Sequence, residues 1–91
     1  MSIKIKNKRH TEVEVAVSYW YTDGKPGDVS DTYYTLEPNR DGEWKREDAR
    51  GYLMDIKNIG IYYVAYNSEI TIEDNAVKSN DKPITKLSFE K

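Results

Sequence analysis

The sequence predicts an all-β fold, a small antiparallel β-sandwich or barrel-like sandwich of about seven or eight strands. Three observations carry the prediction. Apolar and polar residues alternate with period two in several short runs, turn-forming Gly, Pro, Asn and Asp recur between those runs, and no apolar stripe of period 3.6 emerges. A chain of 91 residues with no internal repeat, low-complexity tract or linker-like boundary is expected to be one domain over residues 1–91.

Ile3 and Ile5 alternate with Lys4, Lys6 and Lys8, which predicts a first strand running into a turn at Lys8-Arg9-His10. From Thr11 to Thr22, Val13, Val15, Val17, Tyr19 and Tyr21 alternate with Glu12, Glu14, Ala16, Ser18 and Trp20. Successive strand side chains point to opposite faces, so the valines face a core and Trp20 joins the glutamates on the outward face. These two strands are expected to pair as a hairpin.

Asp23-Gly24-Lys25-Pro26-Gly27-Asp28 is rich in turn formers and ends the long strand in a loop. Asp31 to Glu37 reads as the next strand, Pro38 to Gly42 as a turn, and Glu43 to Glu47 as a short strand. Charges are frequent from Glu43 to Met54, but Gly51 interrupts that stretch and at most one short turn of helix fits. Arg50 to Lys57 puts Tyr52, Met54 and Ile56 on one face, and Asn58 to Gly60 turns the chain.

The run Ile61-Tyr62-Tyr63-Val64-Ala65-Tyr66 is apolar throughout, which suits a central strand covered on both faces and assigns Tyr62 and Tyr63 to the core. Ile70 and Ile72 then alternate with Glu69, Thr71 and Glu73. Beyond the polar stretch Lys78 to Lys82, Ile84, Leu87 and Phe89 mark a last, weaker strand.

Fourteen basic and sixteen acidic residues leave a formal charge of −2, far from the basic excess that duplex nucleic acid selects, so no nucleic-acid partner is expected. There are no cysteines, and Met1-Ser2-Ile3-Lys4 lacks the apolar stretch of a secretory signal. No apolar run approaches the roughly 20 residues of a membrane-spanning helix. The expected location is therefore cytoplasmic, or outside the cell by a non-classical route, with no signal peptide or transmembrane segment.

Catalytic machinery is not expected. His10 is the only histidine, which leaves neither a nucleophile–base pair of the usual kind nor a zinc site, and the phosphate-binding glycine motifs are missing. Asp23, Asp28 and Asp31, with Asp41, Glu43 and Glu73 to Asn75, offer oxygens that calcium prefers. Their spacing is not that of an EF-hand, and acidic residues in turns ordinarily cap the backbone. No cofactor is expected, a structural calcium ion being the alternative to none.

Eight tyrosines and two tryptophans stand against one phenylalanine, so rings with a polar tip dominate. Such rings can sit half buried at a binding surface or simply pack. Trp20, Asp31, Tyr33, Asn39, Trp44 and Arg46 form the candidate ligand-binding set, the composition of a sugar-binding patch. Aromatic rings stack on the apolar face of a pyranose while Asp, Asn and Arg satisfy its hydroxyls. Lys4, Lys6, Lys8 and Arg9 are read as a solvated face that discourages edge pairing, with anionic lipid as the alternative partner.

The opening Ile3-Lys4-Ile5-Lys6-Asn7 and the alternating strand ending in Tyr19-Trp20-Tyr21 resemble small β-sandwich cytolysins and lectins of microbes and fungi. That resemblance implies a binding module and assigns no residue. The expected function is non-enzymatic, lectin-like recognition of a glycan or glycoconjugate. The alternatives are a membrane-active, cytolysin-like β-protein and a structural protein forming homo-oligomers through a tyrosine-rich interface.

Overall fold

The computed structural model of the protein describes residues 2–20 and 32–87. Nine strands occur among them: β1 (Ser2–Asn7), β2 (Val13–Val17), β3 (Tyr34–Leu36), β4 (Asp41–Lys45), β5 (Tyr52–Ile56), β6 (Gly60–Val64), β7 (Glu69–Ile72), β8 (Val77–Ser79) and β9 (Lys82–Pro83). They form two sheets, a five-stranded one in the order β4-β1-β7-β8-β9 and a four-stranded one in the order β3-β2-β5-β6. The predicted all-β class holds, as a sandwich and not a closed barrel. No helix long and apolar enough to cross a membrane occurs among the described residues.

Period-two alternation places the core as expected. Ile3, Ile5, Trp44, Ile70, Ile72 and Val77 project from the five-stranded sheet; Val13, Val15, Val17, Leu36, Tyr52, Met54, Ile56, Tyr62 and Val64 project from the four-stranded sheet into the same apolar cluster. Burying an Ile, Val or Met side chain completely is worth about 1.5–3 kcal/mol, so this interlayer supplies the main drive for folding. Gly42 leaves room for Trp44: a β-carbon there would lie 3.0 Å from the indole and 3.3 Å from Leu36.

Strand pairing departs from the expected hairpin. β1 pairs antiparallel with β4 and parallel with β7, whereas β2 pairs with β3 and β5 in the opposite sheet. The β1–β2 connection therefore crosses between layers. Asn7 ties the turn to the opposite sheet. Fully buried, its amide donates to the carbonyls of Leu36 (2.9 Å) and Thr11 (3.0 Å), and its side-chain oxygen accepts the Arg9 N–H (2.8 Å).

Several other elements shift. β2 ends at Val17, short of the expected Thr22, and the last two residues of that prediction lie outside the described segments, as does the Asp23–Asp28 loop. β4 begins at Asp41 because the turn needs only Pro38 and Asn39, the latter with φ 66°. Among the described residues β6 has one strand neighbour and lies at the sheet edge instead of the centre, and it alternates: Tyr62 is buried, but Tyr63 is 51% exposed and not in the core.

The polar stretch 78–82 contains a small hairpin. Asn80 and Asp81 both take positive φ (51° and 71°), the conformation of a two-residue turn matched to strand twist. Residues 84–87 are not a strand, and Phe89 lies outside the described residues. Leu87 donates its N–H to the Ile61 carbonyl (2.7 Å), so the chain crosses from β9 to the edge of β6 and covers part of it.

Candidate functional site

The outer faces of the two sheets differ in chemistry. On the five-stranded sheet, Lys4 lies opposite Glu43 on one side and Glu69 on the other, and Lys6 opposite Asp41 and Thr71. The lysine series is thus interleaved with carboxylates, a well-hydrated surface. Glu43 titrates below its ordinary value, chiefly through the Ser2 side-chain hydrogen bond, which acts against desolvation and is helped by the charges of Lys4 and Lys45.

The four-stranded sheet turns Glu14, Thr35 and Asp55 outward at its β3 side and centre, and Ala16, Leu53, Ile61 and Tyr63 beside and beyond them. Ala16 lies opposite Asp55, Asp55 opposite Ile61, and Leu53 opposite Tyr63. Ser18 continues the β2 row beside Leu53, donating its N–H to the Leu53 carbonyl (2.9 Å) and accepting the Leu53 N–H on Oγ (3.0 Å). Leu53 and Tyr63 are 47% and 51% exposed, unlike their buried strand neighbours Tyr52, Met54, Tyr62 and Val64.

At one end of this face is a groove of about 400 Å³ bordered by Tyr19, Trp20, Arg50, Gly51, Leu53 and Tyr63. Gly51 organises it. Its φ of 101° lies in the region that favours glycine, and the Tyr63 phenol packs where a β-carbon would stand. Its carbonyl accepts the Trp20 Nε1–H at 2.7 Å, which fixes the indole. Arg50 stacks on that indole, its guanidinium carbon 3.8 Å from the ring centroid, and is held by Asp48 through two charge-assisted bonds (2.8 and 2.6 Å).

Arg46 sets the route of the chain into the groove. Buried at the end of β4, it donates from Nε to the Ser18 carbonyl (2.9 Å), from Nη2 to the Val17 carbonyl (2.9 Å) and from Nη1 to the Lys45 carbonyl (2.8 Å). These are carbonyls the ladder would otherwise have to satisfy, and the planar fork suits several at once. Residues 18–20 leave β2 along that anchor.

Along the face from the groove is a second, shallower depression bordered by Ala16, Ser18, Leu53, Asp55 and Ile61, about 240 Å³ in volume. Tyr33 donates its hydroxyl to Asp55 Oδ2 (2.7 Å), with the Lys57 ammonium 5.6 Å from its ring centroid. Ala16 is small enough to let the phenol ring cross β2 and reach β5. Lys57 also faces Glu14 at 3.9 Å.

The six residues singled out in the sequence do not assemble as one patch. Trp20 and Tyr33 both reach the outer face of the four-stranded sheet, at different depressions. Trp44 is buried in the core, edge to face with Tyr34 (centroids 5.9 Å, 86°). Arg46 is the buried anchor described above, and Asn39 occupies a positive-φ turn, its N–H donated to the Asn7 carbonyl (2.7 Å). Asp31 lies outside the described residues.

Gly51, Leu53, Asp55 and Tyr63 were not singled out. Strand alternation gave a signal for two of them: Leu53 and Asp55 are the positions between Tyr52, Met54 and Ile56. Tyr63 was hidden because an apolar run on an edge strand has the same composition as a central one.

The remaining polar clusters are small. His10 and Asp74 form an exposed pair at 2.5 Å, linking the loop after β1 to that after β7. Desolvation acts upward on the Asp74 carboxyl, but the side-chain and backbone hydrogen bonds from His10 and the charge of Arg9 hold it below its ordinary value. Among the described residues no group of three or more His, Cys, Asp or Glu side chains could hold a metal ion. Asp23, Asp28 and Asp31, the loop proposed for calcium, lie outside them.

The chain matches no family model, and neither a curated protein nor a solved structure matches it.

Proposed function

We propose that the protein is a non-enzymatic recognition module that binds a saccharide in the groove of Tyr19, Trp20 and Tyr63, on the outer face of the four-stranded sheet. The observation that carries this reading is the contrast between the two outer faces: one is an interleaved array of lysines and carboxylates, the other presents half-exposed rings and Leu53 around a preformed groove. Singly exposed apolar residues are ordinary, whereas a contiguous aromatic depression marks a binding surface.

Saccharide chemistry suits the groove better than lipid or nucleic acid. Tyr19 and Tyr63 offer ring faces for the C–H side of a pyranose and hydroxyls for its oxygens. The Arg50 charge is held by Asp48, so the groove has no strong bias toward anions. The lysines that anionic lipid would require lie on the opposite sheet, between carboxylates.

The test is calorimetric titration of the whole protein with neutral mono- and disaccharides, alongside phosphatidylcholine/phosphatidylserine vesicles and sedimentation at several concentrations. A saturable, sugar-specific heat that is lost in a folded Tyr63→Ala variant is expected. Response to vesicles alone, or self-association that buries Tyr63 without any sugar response, would replace this reading with the membrane or assembly one.

A further inference from the structure

We infer that the ligand is a linear, uncharged oligosaccharide that occupies two successive subsites across the four-stranded sheet, and not a single terminal sugar. This rests on the saccharide reading above. The groove at Trp20 and the depression at Asp55 adjoin across Ser18 and Leu53, which border both. A ring seated against Tyr63 would therefore have its neighbour over Ile61 and Asp55, alongside the Tyr33 ring that crosses β2 at Ala16.

The second depression carries its own recognition groups. Tyr33 donates to one oxygen of Asp55, which fixes the carboxylate and leaves it acceptor capacity for sugar hydroxyls. Tyr63 on β6 and Ala16 on β2 are separated by two interstrand steps, roughly 10 Å at the usual spacing of neighbouring strands. That span exceeds one pyranose ring and suits a short chain.

Charge complementarity argues for an uncharged chain. The cations bordering this path are paired, Arg50 with Asp48 and Lys57 with Glu14. An acidic saccharide would bring its carboxylate or sulfate close to Asp55 without a cation released to meet it.

The experiment uses ladders of cello-, malto- and chito-oligosaccharides from one to six units, titrated calorimetrically into the whole protein, its Asp55→Ala and Tyr33→Ala variants, and Tyr63→Ala. In at least one ladder, affinity should rise tenfold or more from the monosaccharide to the tri- or tetrasaccharide and then level off. Asp55→Ala and Tyr33→Ala, each checked for folding by circular dichroism, should flatten that rise. Equal affinity for one unit and four, or a rise that both variants preserve, would overturn the two-subsite inference while leaving saccharide binding intact. Binding confined to sulfated or uronic oligosaccharides would overturn the uncharged-chain claim. Silence across all ladders would overturn the inference together with the reading it rests on.

Discussion

At Gly51 one backbone conformation serves both the fold and the groove. With φ at 101°, with its carbonyl holding Trp20 and with the Tyr63 phenol packed against it, the position has no room for a side chain. Gly51→Ala should destabilise the protein by about 1–3 kcal/mol in urea unfolding and shift the Trp20 emission, since strain at such a residue adds to displacement of Tyr63. Asn7 is the corresponding residue of the core. Asn7→Ala should cost about 2–4 kcal/mol, because it strands the Leu36 carbonyl in the interior and removes the tie to Arg9. Glu43 and Asp74 set a pH response. Both carboxyls titrate lower in the folded protein than their ordinary values of 4.5 and 3.8, so the unfolded chain takes up protons first as pH falls. Their stabilisation is present above the ordinary carboxylate range and is lost as pH drops through the folded values. A Glu43→Gln/Asp74→Asn double variant should accordingly show a shallower fall in Tm on acidification than the native protein.

At the level of elements, the two tryptophans separate what alternation reveals from what it hides. Trp20 and Trp44 have the same composition-level claim to a binding role, yet β4 turns Trp44 inward against Ile3's row while Trp20 leaves β2 on its outward side. Trp44→Ala should cost about 3–5 kcal/mol in chemical denaturation, as for other buried aromatics, whereas Trp20→Ala should cost much less. The inward faces of β1, β2, β5 and β7 were legible because Ile3, Ile5, the three valines, Met54, Ile56, Ile70 and Ile72 alternate with polar partners. Their neighbours in the sheet were not legible. β1 meets β4 and not β2 through contacts distant in sequence, such as Asn7 to Leu36 across 29 positions of chain, and local pattern holds no record of them. Edge position was hidden for the same reason: the run Ile61 to Tyr66 looks central until β5 is seen to be its one strand partner among the described residues, with Leu87 meeting the other side. The site followed suit. Trp20 and Tyr33 could be recognised by their chemistry, but Gly51, Leu53 and Asp55 acquire meaning only once β2, β5 and β6 lie side by side.

For the whole molecule, the sandwich separates a face of interleaved lysines and carboxylates from one that carries the aromatic groove, with the apolar core between them. Because the cations beside the aromatic face are already paired, saccharide affinity should change less than twofold between low salt and several hundred millimolar sodium chloride. A strongly salt-dependent interaction would point to the lysine-bearing sheet instead. The central claim, that ligand meets the outer face of the four-stranded sheet, is tested most directly by fluorescence with Trp20 as the sole indole, in a Trp44→Phe variant. Titration with the oligosaccharide that binds best should shift and saturate the Trp20 emission, and adding Tyr63→Ala should abolish the response. A saccharide that binds by calorimetry yet leaves Trp20 emission unchanged, or binds equally well without Tyr63, would contradict the account and place the site elsewhere on the sandwich.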